Sequence, residues 1–152
     1  MAFEGPFEDR LAIRELIDSY GDAVARNDAE AWGANWAEDS VWILNLPDLP
    51  RVEGRSNIVA LWVRAMSEYE WVLMTSKPGE IHVSGDRATG RFYTAEVTRL
   101  KSGEEQRISG RYEDEYVRRN GRWLIGSRTY TMLHLQSLGK SSGMGSWKGS
   151  GG

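Results

Sequence analysis

The chain has 152 residues, a formal charge of −3 and a sequence pI near 5.5. That fits one domain and excludes the basic face that nucleic-acid binding demands. Hydrophobic residues make up 40% and charged residues 27%, a balance suited to a domain that buries its own core, and the absence of cysteine excludes disulfides, thiolate nucleophiles and cysteine-held metals.

Ile13, Leu16, Ile17, Tyr20 and Val24 recur at helical spacing and predict a helix over residues 9–26 with one buried stripe. Asn27 and Glu30 have the spacing of a capping box and open a short second helix with Trp32 and Trp36 on one face. Residues 40–45 are β-branched and aromatic, as a strand requires. Pro47 and Pro50 then predict a loop over 46–50. Ile58, Leu61, Trp62, Ala65, Met66 and Tyr69 predict a third helix over 56–70.

Beyond Pro78 the period changes to two. Strands are predicted over 80–84, 88–100, 105–118 and 122–136, separated by turn residues. The strongest turn is Asn120-Gly121, a type I′ hairpin signal, since both residues accept positive φ. Helices first and consecutive hairpins after predict the α+β class, with an antiparallel meander covered on one face by helices. From Gly139 onward Gly, Ser and Lys dominate, which divides the chain into a folded unit over 1–138 and a flexible tail over 139–152. The first ten residues lack both a basic start and an apolar run, and no stretch approaches the ~18 apolar residues of a membrane span. The expectation is a cytoplasmic protein with no membrane partner.

Several segments carry a resemblance. They are Ala12-Ile13-Arg14-Glu15-Leu16, Trp36-Ala37-Glu38-Asp39-Ser40, Val52-Glu53-Gly54, Val83 to Ala88, Gly110 to Tyr116, and Arg119 to Trp123. In order and spacing the chain resembles the SnoaL-like branch of the NTF2-like superfamily over roughly residues 9–135. The resemblance implies a cone in which N-terminal helices pack on a curved, mostly antiparallel sheet around one apolar pocket. It also implies a homodimer or homotrimer. The chain is similar to the hexachlorocyclohexane dehydrochlorinase and scytalone dehydratase types, whose Asp–His dyad belongs late in helix one and just after helix three. The positions that match here are Ala25 and Leu73, so the dyad is absent.

Candidate site residues follow from alternation and from the resemblance. Tyr20 lies on the helix-one stripe, where it either holds a substrate oxygen as a general acid or packs in the core. Phe92, Thr94, Glu96 and Thr98 share one strand face. A Glu96 facing an apolar pocket would have its pKa raised and could replace the missing base. Arg128, Tyr130, Met132 and His134 share a face of the last strand, and an inward Arg128 would stabilise developing negative charge or else pair with a carboxylate. His134 is the better placed of the two histidines. Val24, Trp42, Met66, Leu73, Thr94, Tyr112 and Tyr130 are the expected substrate contacts. Glu113, Asp114 and Glu115 read as solvated sheet-edge or subunit-contact charges. No metal-ligand spacing or nucleotide motif is present, so no metal and no cofactor is expected. The expected reaction is a cofactor-independent elimination of water or of a small carbonyl fragment such as formaldehyde, from a small aromatic or alicyclic substrate. An isomerase, a cyclase and a non-catalytic ligand-binding domain remain as alternatives.

Overall fold

The structure, a computed structural model, describes residues 3–140. A short strand, β1 (Phe3–Glu4), precedes helix α1 (Phe7–Arg26). The expected stripe is the buried one: Ile13, Leu16, Ile17, Tyr20 and Val24 all lie in the core. The helix ends because Asn27 adopts the left-handed conformation at φ 51, a usual helix stop. Asn27 is therefore not the cap of the next helix. That role belongs to Asp28, whose carboxylate accepts from the Ala31 amide at 2.9 Å and opens α2 (Ala29–Gly33).

Strand β2 (Trp36–Leu46) starts four residues earlier than its β-branched run, with Trp36 already buried. The Pro47-Asp48 turn is tighter than the expected loop, and β3 (Leu49–Glu53) returns antiparallel to β2. Helix α3 (Arg55–Met66) is shorter than expected. Tyr69, in phase with its stripe, instead begins β4 (Tyr69–Ser84), which runs far beyond the expected 80–84.

Strands β5 (Arg87–Leu100), β6 (Glu104–Arg119) and β7 (Arg122–Lys140) complete an antiparallel meander with β4. Asn120 and Gly121 have φ of 51° and 76°, as a type I′ turn requires. Gly139 and Lys140, expected in the tail, pair with Glu105 and Glu104 on β6; the rest of the expected tail lies outside the described residues.

The sheet has seven strands in the order β1-β4-β5-β6-β7-β2-β3. It is mixed, because β2 pairs parallel with β7 (Trp42 opposite Arg128) and β1 pairs parallel with β4. The helices cover one face, and the core between them centres on Trp32, Trp36, Trp42, Trp62 and Tyr20. Trp32 and Trp62 stack at 4.7 Å, while Trp32, Trp36 and Trp42 meet at tilts near 50°. Their buried indole N–H groups have no hydrogen-bond partner. Among the described residues no helix is long and apolar enough to cross a membrane.

Candidate active site

Phe92, Thr94 and Thr98 are buried, so alternation along β5 turns Glu96 inward and Tyr93 outward. Met74 on β4 and Ile108 on β6 flank Glu96 in register. Helix α1 adds Tyr20 and Val24, β2 adds Trp42, and α3 adds Trp62 and Met66. Tyr69, Val72 and Met74 from β4 and Tyr112 from β6 complete the wall of a cavity of about 130 Å³. For scale, a dry apolar cavity of about 150 Å³ holds one benzene.

A larger furrow of about 300 Å³ crosses the sheet beside Glu80, His82 and Arg91. It is open and polar, with Arg91 already paired to Glu80 at 3.0 Å. The smaller cavity is the better candidate because it holds a half-buried carboxyl among aromatic walls. Burial pushes that carboxyl, Glu96, up to about 7 from its ordinary 4.5. Glu96 is the one Asp, Glu, His, Lys or Arg on the cavity wall among the described residues.

Behind the wall lies a buried ion pair. Arg128 Nε and Nη2 each donate to Asp114 at 2.8 Å, both side chains are fully buried, and the Tyr116 hydroxyl makes a short bond to the same carboxylate. The guanidinium also stands over the rings of Tyr20 at 4.3 Å, Tyr112 at 4.4 Å and Phe92 at 4.8 Å. Burial pushes the Arg128 pKa down, but the charge and hydrogen bonds of Asp114 outweigh it, and the guanidinium stays charged. Burial raises the Tyr20 phenol, while the Arg128 charge and polar contacts with Tyr112, Arg128 and Trp32 oppose that rise. Arg128 Nη1 and Trp32 Nε1 are buried without a hydrogen-bond partner.

The structure brings together Tyr20, Glu96, Val24, Trp42, Met66 and Tyr112. It separates the other candidates. Leu73 is 54% exposed, because the phase of β4 turns Val72 and Met74 inward instead. Ala25 is exposed too. Thr94 is buried on the inward face but is not on the wall. Tyr130 is half-buried behind Tyr112, ring centroids 5.0 Å apart. It occupies the space above Gly110, where a Cβ would overlap its ring.

Arg128 is inward but stands behind the tyrosines and not on the wall, so it is not placed to touch a substrate. A register shift between Ser109 and Gly110 breaks the alternation of β7, and His134 is exposed. Asp114, expected in solvent, is the buried partner of Arg128. Alternation with Tyr112 and Tyr116 was the signal for it, masked by the flanking Glu113 and Glu115. Trp62, Tyr69, Val72 and Met74 were also missed as wall residues. No three His, Asp or Glu side chains converge as metal ligands would, among the described residues.

A two-layer cone with a carboxyl on the wall of a cavity between helices and sheet agrees with what the sequence profile matches. Residues 6–129 match the SnoaL-like domain. The chain belongs to that family. No curated protein matches this SnoaL-like chain, but many solved structures do. A hexachlorocyclohexane dehydrochlorinase, LinA type 2, is 19% identical with a TM-score of 0.76, covering 86% of this chain and 89% of that one. A Novosphingobium aromaticivorans protein provisionally described as an aromatic ring hydroxylase is 26% identical with a TM-score of 0.79, covering 88% and 96%. Another from the same organism, provisionally described as a scytalone dehydratase, is 17% identical with a TM-score of 0.77, covering 90% and 95%. The SnoaL-like chain thus has the NTF2-like α+β fold.

Proposed function

We propose that this SnoaL-like protein is a cofactor-independent lyase for a small, single-ring substrate, with Glu96 as the base that takes a proton from carbon. The observation that supports it is a lone carboxyl, raised to about 7, on the wall of an otherwise uncharged aromatic cavity. A base of that pKa is half-ionised near neutrality and gains a proton readily. Aromatic walls exclude the water that would otherwise solvate the carboxylate. Tyr20 and Tyr112 supply hydroxyls on the same wall, so one of them can hold a substrate oxygen. For loss of water, the freed electron pair forms the double bond, the C–O bond breaks and the proton held by Glu96 goes to the departing oxygen. For loss of a small carbonyl fragment, Glu96 instead takes the proton of a carbinol hydroxyl, the C–C bond breaks, and the carbon that keeps the electron pair takes that proton back.

The absent dyad gives no support to a dehydrochlorinase. With Ala25 exposed and Val72 and Met74 inward on β4, neither expected position supplies a proton acceptor. The test is a panel of one-ring aryl alcohols and diols incubated in heavy water, read by NMR for product and for deuterium entering carbon. Wild-type enzyme should convert or label a member of the panel, and Glu96→Gln should lower that rate ~10²-fold or more with little change in affinity. Equal rates would remove Glu96 from the chemistry. Saturable binding with neither conversion nor labelling would favour a binding domain, and labelling without loss of a fragment would favour an isomerase.

A further inference from the structure

Arg128 uses Nε and Nη2 on Asp114 and leaves Nη1 without an aligned partner, although the side chain is completely buried. Asp114 and its hydrogen bond from Tyr116 take one side of the guanidinium. The rings of Tyr20 and Tyr112 lie against it at 4.3 and 4.4 Å. Those tyrosines line the cavity, whereas Arg128 does not. The pair is thus a fixed dipole, and its guanidinium end abuts two cavity tyrosines. Fold stability alone gives little reason for it, since apolar residues of similar volume often replace a buried ion pair at no loss.

We infer that Arg128 is a positioning residue that acts through Tyr20, making the Tyr20 hydroxyl the donor to a substrate oxygen. The cavity then takes an uncharged ring compound in which loss of a C–H proton places negative charge on that oxygen. The inference rests on Glu96 as the base. When the C–H bond breaks, its proton goes to the Glu96 carboxylate. Its electron pair moves through the substrate to the oxygen, which Tyr20 holds by hydrogen bond. The pair then returns to expel the leaving group or to accept the proton back at another carbon. A substrate carboxylate fits poorly, because Asp114 already neutralises Arg128 and, among the described residues, no lysine, arginine or histidine lines the wall.

The experiment uses 4-nitrophenol, whose phenol and phenolate absorb differently, with 4-nitrotoluene as a control that lacks the hydroxyl. Bound to the wild-type protein, 4-nitrophenol should ionise at least one pH unit below the free compound. Tyr20→Phe, which keeps the ring, should abolish that displacement and weaken phenolate binding ~10-fold or more, while 4-nitrotoluene affinity changes little. Arg128→Lys keeps the charge, loses the planar fork and should reduce the displacement in the same selective way. A purely structural Arg128 would instead shift both compounds alike. If Arg128→Lys does not fold, Tyr20→Phe decides. Unshifted ionisation in the wild type, no saturable binding of 4-nitrophenol, or an unchanged shift in Tyr20→Phe would each overturn the inference. Failure of the base assignment shows elsewhere, as unchanged turnover in Glu96→Gln, and leaves the 4-nitrophenol signature in place.

Discussion

Replacing Glu96 by Gln should make the protein more stable, and only above about pH 5. A carboxyl at about 7 in the folded chain against an ordinary 4.5 means that the folded state binds the proton more tightly than the unfolded one. Between those two values the unfolded chain holds fewer protons, so stability falls as pH rises through the window and levels off above it. At about 1.4 kcal/mol per pH unit the ceiling is about 3 kcal/mol. Partial access to water through the cavity lowers the working figure to about 2–3 kcal/mol. Glutamine keeps the shape and does not titrate. The gap between variant and wild type should therefore widen by about 2–3 kcal/mol from pH 4 to pH 8, or roughly 4–12 °C in Tm for a chain of this size. Urea unfolding at pH 4, 6 and 8 reads it directly. A gap that stays constant with pH would refute the buried, proton-hungry Glu96, whatever the variant does to turnover.

Asp114→Ala should cost about 3–5 kcal/mol because it strands a buried guanidinium, whereas replacing both partners with apolar residues (Arg128→Met with Asp114→Leu) should cost far less; a double-mutant cycle by urea unfolding compares them. Gly110→Ala should force the Tyr130 ring out of its seat and cost about 1–3 kcal/mol, visible as a lower Tm. The outer sheet face exposes Trp71, Leu73 and Tyr93, and apolar patches of this kind favour association. Light scattering should find a homodimer or homotrimer of the 17.2 kDa chain, and Leu73→Glu should shift it toward monomer. A monomeric wild type at micromolar concentration would sink that expectation.

Helix α1, the hairpins and the inward phase of β5 were legible because each is stated locally: a 3.6-residue stripe, an Asn-Gly turn, an alternation anchored by Phe92. The start of β4 was not. Tyr69 falls in phase with Met66 on the α3 stripe, and the apolar run Trp71 to Met74 shows no alternation to mark the change of period. Leu73 is the position the resemblance sets against the dyad histidine, and in the strand its neighbours Val72 and Met74 hold the inward places. The parallel pairing of β2 with β7 joins segments far apart in sequence, and no local pattern announces it. Asp114 is a different failure. Its alternation with Tyr112 and Tyr116 was present, but a run of three acidic residues implied solvent, and its counter-charge lies on another strand.

The parallel seam between β2 and β7 also bears on how the chain is made. Tyr20 and Trp42 come from the first third of the chain, whereas the strand that sets Ser127, Arg128 and Thr129 opposite Val41, Trp42 and Ile43 is made only after β4, β5 and β6. Until then the β2 edge that carries Trp36 and Trp42 lacks the strand that joins it to β6, and their aromatic surface is incompletely covered. Pairings that span most of the sequence close slowly, and exposed apolar surface in that interval invites aggregation or chaperone capture. A polypeptide stalled or truncated before residue 122 would lack the final strand altogether, leaving the aromatic cluster without its lid and the quality-control machinery with an early, unambiguous mark of an unfinished molecule.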